Sequence, residues 1–446
     1  MGTFIDTFYI IFLISILAQG ILTVYLTLYV WEDPDRLEEI ASPKEFKVPH
    51  KSFTVLIPAK SEQKVIGKTL LSISKAHYPK HLFKIITICE EKDIQTIQAA
   101  KNAIQQFHIL NAKILTFNDV PVNKPHGLNK GLFASKEGPN EVIVVFDAED
   151  EVNPEIFNIA NTLYLKKKPD IIQAGVQLMN YNSRWFSGLN VLEYYFWFKS
   201  RMHFHTKVGM VPLGGNTVFF KTDQLRNIGG WDETCLTEDA EIGIRLSAKG
   251  ARVLSTYDPI HVTKEETPGS ISQFVKQRTR WNQGFIQVLK LGYWKEYDSF
   301  LKRLFCFYTL SFPIIQVILL AITPITLFLG IFDKLSIVLA LLSFIPLLIV
   351  IAQITINGIG MREFITEQKL NHDKSIYFSL ILTLLPYQFL LAFSAVRAVF
   401  RELSGATNWE KTIHYGIHRD MEKLITLVPQ IAKRSFRPLQ YEGRSI

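Results

Sequence analysis

The apolar residues of this chain follow two patterns. Towards the ends they form long, nearly unbroken blocks; through the middle they come in short bursts separated by polar turns. Residues 4–30 make the first block, interrupted by Asp6, Gln19 and Gly20. A bilayer crossing needs about 20 residues, so this block is long enough to span. It lacks the basic leader and short core of a secretory signal. Residues 304–332, 335–359 and 376–399 are further blocks of spanning length, parted by Asp333-Lys334 and by the polar stretch 362–374. Pro313, Pro324, Pro346 and Pro386 lie inside them. Membrane helices tolerate such prolines where neighbours satisfy the freed backbone groups.

Between residues 51 and 302 the pattern predicts β-strands at 53–59, 84–90, 113–117, 142–147 and 171–178, with helices at 61–76 and 94–107. Strands alternating with helices imply a doubly wound, mostly parallel α/β sheet. Ligands of such sheets sit beyond the carboxyl ends of the strands. The expected organisation is a transmembrane helix over 1–31, a cytoplasmic catalytic domain over 51–302, transmembrane helices over 303–400 and a basic tail over 401–446. Within the catalytic domain, residues 185–204 are rich in aromatics, with Arg184, Lys199 and Arg201 near the ends. That composition suits an interfacial helix; an aromatic core helix is the alternative.

Charge refines this picture. The net charge of +8 comes from basic residues clustered beside the apolar blocks, which points to an anionic lipid surface. No nucleic-acid-binding module is recognisable, so nucleic acid is not an expected partner. Cys89, Cys235 and Cys306 are too few and too scattered for a disulfide framework or a thiolate zinc site.

Three clusters carry candidate chemistry. The strand at 142–146 runs into Asp147-Ala148-Glu149-Asp150. Carboxylates crowded at a strand end need a cation or donors to compensate them, and Mg2+ typically joins one or two carboxylates to phosphates. Thr237-Glu238-Asp239-Ala240-Glu241 follows two glycine pairs, at 214–215 and 229–230. Thr237 is a natural helix cap, whereas the glycines permit close backbone approach to a ligand. Gln277-Arg278-Thr279-Arg280-Trp281 combines guanidinium groups suited to diphosphates with a flat indole face.

Taken in order, the segments IPAKSE (57–62), ICEE (88–91), KPHGLNKGL (124–132), DAED (147–150), LGGNTV (213–218), TEDAE (237–241) and QRTRW (277–281) resemble family 2 inverting glycosyltransferases. The branch they are most similar to is the membrane-embedded one of cellulose, hyaluronan and poly-N-acetylglucosamine synthases. The run WEKTIHYG (409–416) also looks like the tail of bacterial members. The resemblance implies a GT-A fold (Rossmann-like, mostly parallel sheet) plus an α-helical transmembrane region, and sugar transfer from a nucleotide-sugar donor to a glycan or lipid-linked acceptor at the bilayer. It implies Asp239 as general base. It implies that Ala59, Glu62, Glu90, Glu91, Lys124, Asp147, Gln277, Arg278 and Arg280 bind the nucleotide-sugar. Glutamates stand at 90 and 91 where the family usually has aspartates. Gly215, Asn216, Glu238 and Trp281 are implied on the acceptor side. Asp147 with Glu149 or Asp150 would hold Mg2+ or Mn2+.

Polysaccharide synthesis is the expected activity. Single addition to a lipid or lipid-linked acceptor is an alternative, and an inactive transferase-like scaffold is a third, disfavoured because every expected acid and base position is filled. The expected site of action is the plasma membrane. One tension concerns topology. One crossing before a cytoplasmic domain and three after it would leave the basic tail outside, against the positive-inside rule. The segment 376–399, kinked at Pro386, is therefore a candidate re-entrant or interfacial helix.

Overall fold

The computed structural model describes residues 2–332, 337–412 and 414–419; most of the expected basic tail, 420–446, lies outside the described residues. The middle of the chain builds a seven-stranded sheet from β1 (Ser52–Ala59), β2 (Phe83–Glu90), β3 (Ala112–Phe117), β4 (Glu141–Val145), β5 (Ile171–Ala174), β7 (Val218–Lys221) and β8 (Val253–Thr256), in the order β3-β2-β1-β4-β7-β5-β8. A separate pair joins β6 (Val176–Leu178) to β9 (Thr263–Glu265) in parallel. The pairings β1–β2, β2–β3, β1–β4 and β5–β8 are parallel, while β7 runs against both neighbours. The mostly parallel α/β expectation is met, with one antiparallel insertion.

Apolar residues on both faces of the strands explain the layering, since strands covered on both sides read as continuous hydrophobic runs. Phe53, Val55 and Ile57 pack with Ile66, Leu70 and Ala100 on one face. Leu56, Ile86 and Ile143 pack with Leu128, Leu132 and Ile242 on the other. The run 171–178 is two strands, not one. It breaks at Gly175, where a Cβ would come within 2.8 Å of the Tyr257 ring. The chain then leaves the main sheet for the β6–β9 pair.

Antiparallel β7 has a consequence for the site. A strand running against β4 begins beside the edge where β4 ends. The glycine-rich loop at 213–217 therefore opens next to Asp147. Helix Glu238–Ala248 reaches the same edge because Gly243 lets it approach closely: a Cβ there would sit 2.3 Å from the Val211 carbonyl.

Four helices are long and apolar enough to cross a membrane by length and composition: Asp6–Leu28, Phe300–Phe328, Ile337–Glu367 and Ser375–Leu403. The residues expected to form an interfacial helix instead pack inward. Leu189, Leu192, Tyr195 and Phe196 are buried against Tyr29, Ile356, Phe364 and Leu384, because the long helices cover this face of the catalytic domain. The element contains a π-helical stretch, Trp197–Arg201, of the kind often found at functional sites.

Helix Ser375–Leu403 touches the catalytic domain at both ends. The Tyr181 hydroxyl donates to the Asn371 carbonyl (2.6 Å) just before it. Glu402 accepts from Lys290 (2.6 Å) at its far end. Ile376, Leu380, Leu384, Ala395 and Ala398 are buried along one side, while Phe378, Leu385, Phe389 and Phe393 are exposed on the other.

Candidate active site

At the carboxyl ends of β1, β2 and β4, one cavity of about 670 Å3 gathers most of the sequence-predicted residues. Ala59, Glu62, Glu90, Lys124, Asp147, Glu149, Gly215, Asn216, Glu238, Asp239, Gln277, Arg278, Arg280 and Trp281 all line it. Their convergence follows from the topology: parallel strands deliver their ends to one edge, and β7 returns the glycine loop to it.

Lys124 ties the two acidic motifs together. It opens helix Lys124–Phe133, which is capped by the Asn123 side chain. Its ammonium lies 2.6 Å from Asp147 Oδ1, 3.0 Å from the Gly215 carbonyl and 3.7 Å from Glu238 Oε1. Burial alone would lower its pKa; Asp147 and Glu238 outweigh burial and raise it, so Lys124 is a fixed cation. Gly215 has no room for a side chain. A Cβ there would stand 2.9 Å from Asp239 Oδ2 and 3.3 Å from Lys124 Nζ.

Asp239 sits in the first turn of helix Glu238–Ala248, with Oδ1 accepting from the Ala240 amide (2.8 Å). Burial raises its pKa, opposed by Lys124 and Arg280. Helix Ile271–Leu291 presses against this turn through Gly284, where a Cβ would fall 2.3 Å from Thr237 Oγ1.

The acids at the end of β4 divide their tasks. Asp150 is fully buried behind the cavity wall; it accepts from the Asp147 amide (2.8 Å) and from Asn216 Nδ2 (3.0 Å). Of the two metal-ligand alternatives, the structure thus turns Asp150 away and leaves Glu149 facing the cavity. Asp147, Glu149 and Glu265 each offer an oxygen, all within 4.8 Å of one another. Burial and mutual repulsion push Glu149 and Glu265 well above the ordinary carboxylate range. Three crowded carboxylates with that penalty fit a hard divalent cation, which would restore their ionised form.

Two further placements depart from expectation. Glu91 lies outside the cavity, accepting from Asn118 Nδ2 (2.9 Å) at the surface; successive residues of a strand end point to opposite sides, and Glu90 takes the inward one. Arg278 lines the cavity, but its Nη2 is held by Glu193 and by Asn190 Oδ1 (2.5 Å), a pairing the sequence did not announce. Arg280 is free of carboxylates among the described residues and stacks on Trp409, 4.2 Å from the ring centroid.

Several site residues escaped sequence reasoning. Glu265 and Glu266 arrive through the β6–β9 pairing, which no local pattern announces. Glu193 was visible as a lone acid among aromatics. The run 409–416 carries no local signal of a role. In the structure its Lys411 pairs with Glu62 (2.9 Å), and His414 lies 3.4 Å from Glu62 and 3.1 Å from Glu149. Burial would lower the His414 pKa; Glu149 and Glu62 overcome it and lift it to about 9. The backbone amides of Gly416 (3.0 Å) and Ile417 (2.6 Å) donate to the Glu266 carboxylate. This segment straps the end of the cavity lined by Glu62, Glu149 and Glu266.

Residues 49–284 match the family described as Glycosyltransferase like family 2, over more than half of the chain. The chain belongs to glycosyltransferase family 2. Among its relatives, a probable glycosyltransferase of Bacillus subtilis is 26% identical over 52% of this chain and 54% of that protein. A beta-monoglucosyldiacylglycerol synthase of Trichormus variabilis is 24% identical over 54% and 50%. A poly-beta-1,6-N-acetyl-D-glucosamine synthase of Staphylococcus epidermidis is 23% identical over 54% and 56%. The family 2 chain thus spans about half the length of these curated relatives. A mannosyltransferase of Pyrobaculum calidifontis, solved with GDP-Man and Mn2+, superposes with a TM-score of 0.60 at 14% identity, covering 88% of this chain and 99% of that one. The shared fold is GT-A.

The charges around Asp239 make the pH dependence of this transferase testable. Burial raises its pKa, so the assignment of Asp239 as general base predicts a rate that falls as pH drops through a value above the ordinary aspartate range. Lys124 favours the ionised form, so Lys124→Met should move the acid limb of kcat/KM to higher pH. A limb that stays put or moves down would show that Asp239 does not govern it.

Proposed function

We propose that this glycosyltransferase moves a hexose or N-acetylhexosamine from a nucleotide-sugar, a UDP-sugar by resemblance, to an acceptor hydroxyl at a membrane, with inversion at the anomeric carbon. The observation that carries this reading is the meeting of Asp239, Lys124, Asp147 and Arg280 in one cavity. The relatives named for glucosyl and N-acetylglucosamine products, and the mannosyltransferase holding GDP-Man and Mn2+, support sugar-nucleotide chemistry.

In the proposed step, the acceptor oxygen bonds to the anomeric carbon while Asp239 takes its proton. The bond from that carbon to the diphosphate breaks, and the nucleoside diphosphate leaves with the electron pair. Lys124 and Arg280 face the charge that develops there; fixed donors aimed at such charge are usually the largest catalytic contribution. A Mg2+ or Mn2+ held by Asp147, Glu149 and Glu265 would supply further neutralisation of the diphosphate. Gly215 keeps the base approachable, and Glu238 and Trp281 flank the acceptor. Glu62, Glu90 and Ala59 line the nucleoside end.

Polysaccharide synthesis remains the reading implied by resemblance. A second reading, single addition to a lipid-borne acceptor, is favoured by one observation: the cavity continues among the long helices, reaching Gln316, Gln353 and Asn357, where few helices are available to enclose a secretion channel.

We also infer the membrane arrangement. A helix whose two ends both rest on the catalytic domain does not cross, so Ser375–Leu403 lies along the interface with Phe378, Leu385, Phe389 and Phe393 towards lipid. The other candidate spans then make three crossings. The basic tail returns to the catalytic side, at the cytoplasmic face of the plasma membrane, in keeping with the positive-inside rule.

Asp239→Asn should lower transfer by about 10²–10⁴-fold, the usual worth of general-base catalysis, with nucleotide affinity retained; near-normal turnover would sink the assignment. Chelation with EDTA should stop transfer and added Mg2+ or Mn2+ restore it, measured as nucleoside diphosphate release; full activity in chelator would exclude the cation. A reporter fused to the C-terminus should respond on the same side as one inserted in the catalytic domain, and opposite responses would restore a crossing for Ser375–Leu403.

A further inference from the structure

The cations lining the cavity are not equivalent. Lys60 pairs with Glu90 (3.3 Å), Lys124 with Asp147 (2.6 Å), Arg278 with Glu193, Lys411 with Glu62 (2.9 Å) and His414 with Glu149 (3.1 Å). Among the described residues, the lining guanidinium groups of Arg201 and Arg280 have no carboxylate partner. Arg280 stands beside Asp239 and answers to the donor diphosphate. Arg201 lies against the first long helix, and nothing in the transfer step uses it.

Arg201 closes the π-helical stretch Trp197–Arg201. Its Nη2 donates to Thr27 Oγ1 (3.0 Å), and its Nε is buried with no partner. The nearby acid Glu193 is already engaged by Arg278 and by the Tyr387 hydroxyl (2.6 Å). Thr27 lies in the last turn of the candidate span Asp6–Leu28. The guanidinium is thereby level with the end of a membrane-crossing helix, the depth at which lipid phosphates sit. On the long helices, the side-chain amides of Gln316, Gln353 and Asn357 also line the cavity and form no hydrogen bond among the described residues.

A guanidinium without a counter-ion in a largely apolar site is costly. Its planar fork matches a phosphate with two parallel hydrogen bonds. The carbonyl end of helix Gly2–Leu28 offers a partial negative charge, but Ser200 already donates to the Leu26 carbonyl there (2.9 Å). Unpartnered amides in the same cavity suit the hydroxyls of a polar headgroup. We propose that this part of the cavity is the acceptor site and takes a phosphate-bearing lipid headgroup, with the phosphate on Arg201 and Thr27 and a headgroup hydroxyl directed towards Asp239. The inference rests on the transferase reading and narrows its acceptor to an anionic lipid.

Binding separates the two. The full chain in nonionic detergent is titrated with phosphatidylglycerol (phosphate and hydroxyl), phosphatidic acid (phosphate without a headgroup hydroxyl) and diacylglycerol (hydroxyl without phosphate), alongside a nucleoside diphosphate. Both phosphate lipids should bind at least about tenfold more tightly than diacylglycerol, a difference in reach of charge-assisted hydrogen bonds. Arg201→Gln should erase that preference, Arg201→Lys should keep part of it, and nucleotide affinity should stay unchanged in both. Thr27→Val, a milder change, should weaken the preference without abolishing it. Equal binding of all three lipids by the unaltered chain, or an undiminished preference in Arg201→Gln, overturns the proposal. Neither outcome touches the transferase reading, which stands or falls on Asp239 turnover.

Discussion

Everything in the cavity is arranged around the ammonium group of Lys124. It meets the end of a strand, the carbonyl of a glycine loop and the first turn of a helix in one place, through Asp147, Gly215 and Glu238. Without that cation, the acids at 147, 238 and 239 would repel one another across a buried space, and like charges at such separations cannot all remain ionised. The lysine lets them coexist. Gly215 completes the arrangement because any larger residue would intrude between Lys124 and Asp239.

A second layer of pairing decides which charges are free. Bidentate contacts from Arg397 to Glu410 (2.6 Å each) fasten the turn after Ser375–Leu403. That turn presents Trp409 to Arg280 and carries Lys411 and His414 over Glu62 and Glu149. Glu193 holds the Nη2 of Arg278 in the same way. These partly buried pairs fix which guanidinium groups face the cavity without a carboxylate. Among the described residues, the result is a cavity whose two guanidinium groups without a carboxylate partner are Arg280 and Arg201.

The catalytic domain and the long helices form one continuous packing unit. Lys199 is almost fully buried between Glu363 (2.8 Å) and Glu367 (3.0 Å), fastening the π-helical stretch to the end of helix Ile345–Glu367. The aromatics around Tyr195 fill the same seam. A residue composition suited to the headgroup zone is therefore spent on internal packing, which is why aromatic richness alone could not choose between an interface and a core.

Local pattern determined much of this protein. Periodicity located β1 to β4, the run that holds β5 and β6, and the apolar blocks, because burial on both faces of a sheet and long apolar stretches each impose a simple rule on successive residues; the short strands β7, β8 and β9 escaped it. Motif spacing brought Lys124, Asp147, Asp239 and Arg280 to notice; the first three sit at a strand end or a helix start, and Arg280 lies midway along helix Ile271–Leu291. Tertiary structure alone decided the rest. It turned Glu91 and Asp150 away, engaged Arg278, brought in Glu265 and His414, and left Arg201 unpaired. These outcomes depend on partners far away in the chain, and charge pairing is set by distance in space, which no local pattern encodes.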